Sequence, residues 1–97
     1  MASFVILGRL TEQGMRSVKD SPNRAKAFKT IAAELGVNIR EVLWIQGKFD
    51  ILAIAEAEDE EAVATALIKL GMQGNVHTET FRAYTADEMS RILGKVT

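Results

Sequence analysis

The sequence predicts a small α+β domain whose elements follow the order βαββαβ, with a short helix after the last strand. Three observations carry this prediction: four runs rich in β-branched and aromatic residues, two amphipathic runs with helical spacing between them, and a glycine turn between the second and third β runs. Right-handed crossovers place both long helices on one face of a four-stranded antiparallel sheet, which is the ferredoxin-like arrangement. A chain of 97 residues has room for one hydrophobic core, so we expect a single domain over residues 1–97.

A polar stretch separates the first strand from the first long helix. Residues 2–10 form an apolar β run, whereas residues 11–21 are polar and contain a glycine, which predicts a long loop. Ser21 and Pro22 then begin a helix, because a serine hydroxyl accepts from the free amides of a first turn and proline suits the next position. Apolar residues recur at helical spacing until Gly36 ends this helix.

The second and third strands form a predicted hairpin. Residues 37–46 and 49–57 are β-prone and are separated only by Gly47 and Lys48. Glycine at the first turn position permits the positive φ of a type II′ turn. We therefore expect an antiparallel pair with a two-residue turn, in which Gly47 is the residue least tolerant of a side chain.

A helix, a strand and a last short helix complete the predicted order. Residues 58–61 are all acidic, and we assign them to a first helical turn rather than to a metal site, since negative charge there complements the helix dipole. This helix ends at Gly71, and residues 76–83 form the fourth strand. Thr85 and Glu88 have the spacing of a capping box.

Both faces of the central strands are apolar. In the first strand Phe4 and Ile6 alternate with Val5 and Leu7, and residues 51–55 of the third strand show the same pattern. Helices on one face would leave the other apolar face exposed to water. We therefore expect the sheet of a second copy to pack on this exposed face. The alternative is that the short C-terminal helix folds back over this face.

Composition excludes several function classes. The net charge is −1, with 12 basic and 13 acidic residues spread along the chain, which argues against nucleic acid as a main partner. The absence of cysteine removes disulfides, thiolate metal sites and a cysteine nucleophile, and it fits a cytoplasmic protein. No membrane segment, cofactor motif or phosphate-binding loop is recognisable, so no cofactor and no metal are predicted.

Candidate ligand-binding residues occur in three places. His77, the one histidine, and Glu79 share a strand face and form either an imidazole–carboxylate pair or ordinary cross-strand contacts. The hairpin gathers aromatic, acidic and basic groups, although an acid beside a glycine turn also serves to accept backbone hydrogen bonds. Basic residues before and within the first long helix offer an anion site near its start. The candidates are Trp44, Gly47, Phe49, Asp50, His77, Glu79, Lys19 and Arg24.

The hairpin segment 47–54, with the sequence GKFDILAI, resembles the motif of the GYD domain family, with Phe49 where that family has tyrosine. Residues 10–14, 19–24 and 74–83 resemble other recurring segments of this family, so the resemblance spans nearly the whole chain. It implies a small ferredoxin-like protein, similar to dimeric α+β barrels, without an established biochemical role. The hairpin and last strand also resemble, more distantly, the effector-binding domain of leucine-responsive regulators, which implies at most a stand-alone sensing or assembly module.

Three functions remain open at this point. The first is a non-catalytic homo-oligomeric module, a dimer or a larger ring, that binds a small polar metabolite or anion at a subunit interface near the hairpin. The second is a cofactor-free enzyme of the dimeric α+β barrel type, with substrate between sheet and helices and with His77, Asp50 or Trp44 positioning it. The third is a purely structural assembly unit.

Overall fold

The structure, a computed structural model, describes residues 1–96 and contains one four-stranded antiparallel sheet in the order β2-β3-β1-β4. The elements are β1 (Ala2–Leu10), α1 (Glu12–Arg16), a 3₁₀ turn (Val18–Asp20), α2 (Ser21–Glu34), β2 (Val37–Trp44), β3 (Ile51–Ala57), α3 (Glu60–Met72), β4 (Val76–Ala83) and α4 (Ala86–Leu93). The α+β class and the four-stranded antiparallel sheet are confirmed. The order of strands and helices is compatible with the ferredoxin-like arrangement.

One hydrophobic core lies between the sheet and the two long helices. Phe28 and Ala32 of α2 pack with Val63 and Ala66 of α3 against the inner face of the sheet. On that face β3 presents Ile51 at its start and then alanines at positions 53, 55 and 57, and all three alanines are buried. Because alanine adds little height to the sheet, the helices can lie close to its centre.

The segment predicted as a loop, residues 11–21, is instead largely helical, so that prediction is wrong. Thr11 caps α1, since its side chain accepts a 3.0 Å hydrogen bond from the amide of Gly14. Gly14 is buried, and a Cβ built on it would lie 2.0 Å from the carbonyl oxygen of Asn75. The sequence pattern misled because this glycine serves a close backbone approach rather than a turn.

Ser21 does not cap α2, contrary to the sequence-based prediction. It is the first residue of the helix and is buried, and Asp20 precedes it as the flanking residue without a side-chain capping bond. The Ser21 hydroxyl oxygen instead accepts a 3.0 Å hydrogen bond from the indole Nε1–H of Trp44. This serine therefore connects the start of α2 to the end of β2.

The predicted two-residue hairpin turn is also wrong. β2 ends at Trp44 and β3 begins at Ile51, so the connection spans residues 45–50. The Ile45 amide donates to the Asp50 carbonyl over 2.8 Å and closes the loop. Gly47 does have a positive φ, +134°, as the turn prediction required of it.

The elements after the hairpin agree more closely with the sequence-based prediction. β4 covers residues 76–83, and Thr85 and Glu88 form both bonds of a capping box.

Candidate functional site

The outer face of the sheet, which no helix covers, is apolar at its centre. Leu7 lies opposite Leu52 of β3, and Val5 lies between Ile54 of β3 and Phe81 of β4. Phe81 is 47% exposed. We call this surface the open face; its apolar residues are Val5, Leu7, Leu43, Leu52, Ile54 and Phe81.

Charged residues border the open face. Arg40 of β2 and Glu56 of β3 form an ion pair of 3.5 Å, and Glu41 lies opposite Ile54. At the opposite edge of the same face, Glu79 of β4 lies opposite Leu7. An apolar centre with a polar rim is the usual anatomy of a protein–protein interface.

The C-terminal helix α4 does not fold back over the open face. None of its residues is buried, and Met89 and Leu93 on its apolar side are 41% and 59% exposed. The described chain measures 51 × 31 × 17 Å along its principal axes. Within residues 1–96, α4 is thus an amphipathic helix whose apolar side is largely exposed, and the intrachain alternative for covering the sheet is not observed.

Stacking fixes the segment that leads into α4. The guanidinium of Arg82 lies 4.5 Å from the ring centroid of Tyr84 and 5.6 Å from that of Phe4. It also donates to the carbonyl oxygens of Ser3, over 3.2 Å, and of Ala83. These contacts hold the chain direction after β4, because a guanidinium between two rings and two carbonyls has few alternative positions.

The hairpin loop is joined to β1 by three hydrogen bonds. The Asp50 amide donates to the Gly8 carbonyl over 2.9 Å, and Asp50 Oδ2 accepts from the Leu10 amide over 2.8 Å. Arg9 Nε donates to the Lys48 carbonyl over 3.3 Å, and the Arg9 guanidinium lies 5.2 Å from the Phe49 ring centroid. The Asp50 carboxylate therefore accepts a hydrogen bond from the backbone, as expected if its role is structural.

The remaining sequence-predicted residues are distributed over separate places. His77 is exposed and lies opposite Arg9, with Glu79 two residues further along the open face. Trp44 and Arg24 lie on the helix side of the sheet, where both line one cavity. Lys19 is exposed on the 3₁₀ turn. His77 makes no side-chain hydrogen bond within residues 1–96, so no imidazole–carboxylate pair is formed.

A set of hydrogen bonds between residues 11–13 and residues 73–75 was not predicted from the sequence. The Thr11 amide donates to the Asn75 carbonyl over 3.0 Å, and the Thr11 hydroxyl donates to the Gly74 carbonyl over 2.6 Å. Gln13 Nε2 donates to the Gln73 carbonyl and to Asn75 Oδ1, both over 3.0 Å. The spacing from Thr11 to Gly14 is that of a capped first turn and could have indicated α1. Nothing in the sequence indicated that residues 73–75 are its hydrogen-bond partners.

The described residues contain no cluster of three or more histidine, cysteine, aspartate or glutamate side chains that would hold a metal ion. No helix among them is long and apolar enough to cross a membrane.

Comparison with known proteins identifies the family. The family model described as GYD domain matches residues 4–93, and the chain therefore belongs to the GYD domain family. It is 31% identical over 94 residues to the glutamine synthetase and cystathionine beta-lyase binding protein of Thermus thermophilus, covering 95% of this chain and 99% of that protein. The crystal structure of TTHA0845, also from Thermus thermophilus, superposes with a TM-score of 0.56 at 26% identity, covering 89% of this chain and 96% of that one.

Proposed function

We propose that this protein is a non-catalytic, homo-oligomeric module of the cytoplasm that binds metabolic enzymes. The observation that carries the proposal is the open face, since a sheet centred on Leu7 and Leu52 exposes contiguous apolar surface that monomers in water seldom retain. Packing two such faces together, about 10 Å apart, removes this surface from water in both copies. The ferredoxin-like sheet thereby forms the centre of a dimer or of a larger ring.

The second part of the proposal concerns enzyme partners. A relative that is 31% identical along almost its whole length is named as binding glutamine synthetase and cystathionine beta-lyase. We assign the same class of partner to this chain and place the contact on the apolar side of α4. That side carries Met89 and Leu93, is not used by the fold, and has the form that binds in a hydrophobic groove.

The absence of catalysis in this proposal is supported by the placement of the titratable candidates. Asp50 is engaged by the Leu10 amide, whereas His77 lies exposed on β4 without a side-chain partner in the described chain. An acid–base pair needs its members within hydrogen-bond reach of one another or of a common substrate. The cofactor-free enzyme is therefore the less favoured function.

A second candidate function is anion binding at the border of the self-association interface. The guanidinium of Arg9 is held by the Lys48 carbonyl and the Phe49 ring, and His77 lies opposite Arg9 across the β1–β4 pair. A second copy on the open face would bring its own residues towards this border. This supports the idea of a small anionic metabolite at a subunit interface.

Surface plasmon resonance with the immobilised protein and purified glutamine synthetase or cystathionine beta-lyase from the same organism tests the proposal. We expect the unmodified protein to bind at least one enzyme and Leu93→Asp to weaken that binding about tenfold or more, because a charge replaces an apolar contact. Ile68→Asp is the matched control, since Ile68 is 63% exposed on α3. No binding of either enzyme, or equal weakening by both substitutions, would refute the assignment to α4.

A further inference from the structure

A cavity lies on the helix side of the sheet, at the end where β1 and β2 finish and β3 and β4 begin. Between sheet, α2 and the end of α3 it leaves about 70 Å³ for the centre of a water-sized molecule. Since a single water-sized sphere occupies roughly 10–15 Å³, the space is large enough for a small organic group rather than for one water molecule only.

The cavity exists because small residues meet at this end of the core. Gly8 of β1, Ala25 of α2 and Ala53 of β3 all face it, where larger side chains would close it. Much of the remaining wall is apolar and comes from several elements. Its apolar side chains include those of Ile6, Phe28, Val42, Ile51, Leu70 and Val76. Such a wall favours the burial of an aliphatic or aromatic group.

One charged residue, Arg24, occurs among the described residues that line the cavity. Its guanidinium is held by the segment that precedes α2: Nη1 donates to the Ser17 carbonyl over 2.9 Å and to the Ser17 hydroxyl over 3.2 Å, and Nη2 donates to the Gly14 carbonyl over 3.5 Å. A guanidinium has five N–H donors. Two donors therefore remain for a ligand, and their fork suits a carboxylate.

Two of the polar groups beside Arg24 are already paired. The Trp44 indole N–H is bound to the Ser21 hydroxyl, which leaves the ring itself as part of the wall. The Asn75 side-chain oxygen accepts from Gln13. The Gln73 and Thr78 side chains also line the cavity, are neutral, and can hydrogen-bond to a ligand without opposing its charge. Neither a carboxylate nor a second cation occurs among the described residues of the wall, so the charge of Arg24 favours a ligand with one negative group.

We propose that this cavity is a binding site for a small monocarboxylate with a branched or aromatic apolar tail. The tail occupies the space between Phe28 and Val76, and the carboxylate lies at Arg24. The site is formed within one chain, on the side of the sheet opposite the open face, so it does not depend on the proposed binding of enzymes or on self-association.

Tryptophan fluorescence offers a direct test, because Trp44 is the one tryptophan of the chain and lines the cavity. The probes are 4-methylpentanoate and its neutral analogue 4-methylpentanamide, each titrated to about 10 mM at about pH 7.5, a range in which a ligand of this size is expected to bind. We expect a saturable change with the carboxylate, with a dissociation constant about tenfold lower than that of the amide because of the charge-assisted bonds to Arg24.

Two pairs of variants separate the cavity from unspecific binding. Ala25→Leu fills the space and should abolish the saturable change, whereas Ala27→Leu places the same side chain on an exposed position of α2 and should leave it intact. Arg24→Gln should weaken the carboxylate about tenfold without altering the affinity for the amide, and Lys26→Gln should change neither. No saturable change in the unmodified protein, or equal binding by Ala25→Leu and Ala27→Leu, would overturn the proposal. An Arg24→Gln variant that binds the carboxylate normally would overturn the role of the arginine.

Discussion

The indole N–H of Trp44 donates a 3.0 Å hydrogen bond to the hydroxyl oxygen of Ser21 and so links the last residue of β2 to the first residue of α2. The sequence had indicated a helix cap at Ser21. The two roles predict different effects of substitution. A cap would stabilise α2 whether or not Trp44 is present, whereas the observed hydrogen bond requires Trp44.

A double-mutant cycle with Ser21→Ala and Trp44→Phe measures this bond. We expect each substitution to lower the free energy of unfolding and the two effects to be coupled by about 0.5–1.5 kcal/mol, the usual worth of one such hydrogen bond. Urea unfolding followed by circular dichroism gives all four values. Additive effects, with a coupling near zero, would show that Ser21 stabilises the protein in another way.

The Asp50 carboxylate is expected to contribute to stability through the Leu10 amide. Asp50→Ala removes a charge-assisted acceptor, and we expect it to lower the free energy of unfolding by about 1.5–3 kcal/mol. Asp50→Asn retains an oxygen that can accept from Leu10, so its cost should be smaller. The order of the two variants in urea unfolding checks this, and equal stability of all three proteins would contradict it.

The glycines of the chain are expected to differ sharply in their tolerance of alanine. Gly14→Ala forces a Cβ to within 2.0 Å of the Asn75 carbonyl oxygen, and we expect a loss of about 3 kcal/mol or more. Gly71 in α3 has open space around its Cβ position, so Gly71→Ala should stabilise by about 0.5–1 kcal/mol. A Cβ at Gly47, predicted as the most sensitive position, meets no atom within 4 Å, but the φ of +134° is a backbone conformation that side chains rarely adopt. We therefore expect Gly47→Ala to destabilise through backbone strain, and Gly14→Ala to destabilise more because it adds a backbone clash.

The capping box of α4 makes the last helix sensitive to acid. The hydrogen bond from the Thr85 backbone amide lowers the pKa of Glu88, opposed by desolvation and assisted by the Thr85 hydroxyl, Arg82 and Arg91. A lowered pKa in the folded state means that ionised Glu88 stabilises the helix above the ordinary glutamate pKa, and that this contribution is lost as the pH falls through the lowered value.

Carboxyl-carbon NMR titration checks the direction of this shift. We expect the pKa of Glu88 to be lower than that of an ordinary glutamate, and the Cα shifts of residues 88–92 to lose helical character as Glu88 becomes protonated. Thr85→Pro removes the donating amide and should raise the pKa of Glu88. Arg91→Gln, which removes only the smallest contribution, should change it less. A Glu88 titration that is the same in Thr85→Pro as in the unmodified protein would contradict this cause.

Local patterns in the sequence were sufficient to predict most of the fold. The β-prone runs of β1 and β4, the acidic start of α3 and the capping box of α4 all act over a few residues, and each has its predicted place in the structure. The failures at residues 11–21 and 45–50 have a common physical reason. Gly14 lies close to the backbone of Asn75, and Asp50 accepts from the backbone of Leu10; partners so far away in sequence have no signature in a local pattern.

The candidate site was predictable only in part, for the same reason. The apolar outer face follows from the alternation in β1 and β3 and was predicted. The cavity required Gly8, Ala25 and Ala53 to meet from three elements, and its charged group required Arg24 to be held by carbonyls of the preceding turn. These are tertiary relationships between common residue types, so neither composition nor spacing indicated them.

The central claim is that the open face joins copies of this chain, and light scattering coupled to size-exclusion chromatography tests it most directly. At about 100 μM protein we expect a mass of at least twice the 10.7 kDa protomer, since self-association depends on concentration by mass action. Ile54→Asp places an uncompensated charge in the interface and should return the mass to one protomer, while Ile68→Asp should not. A mass of one protomer for the unmodified protein at this concentration would contradict the account.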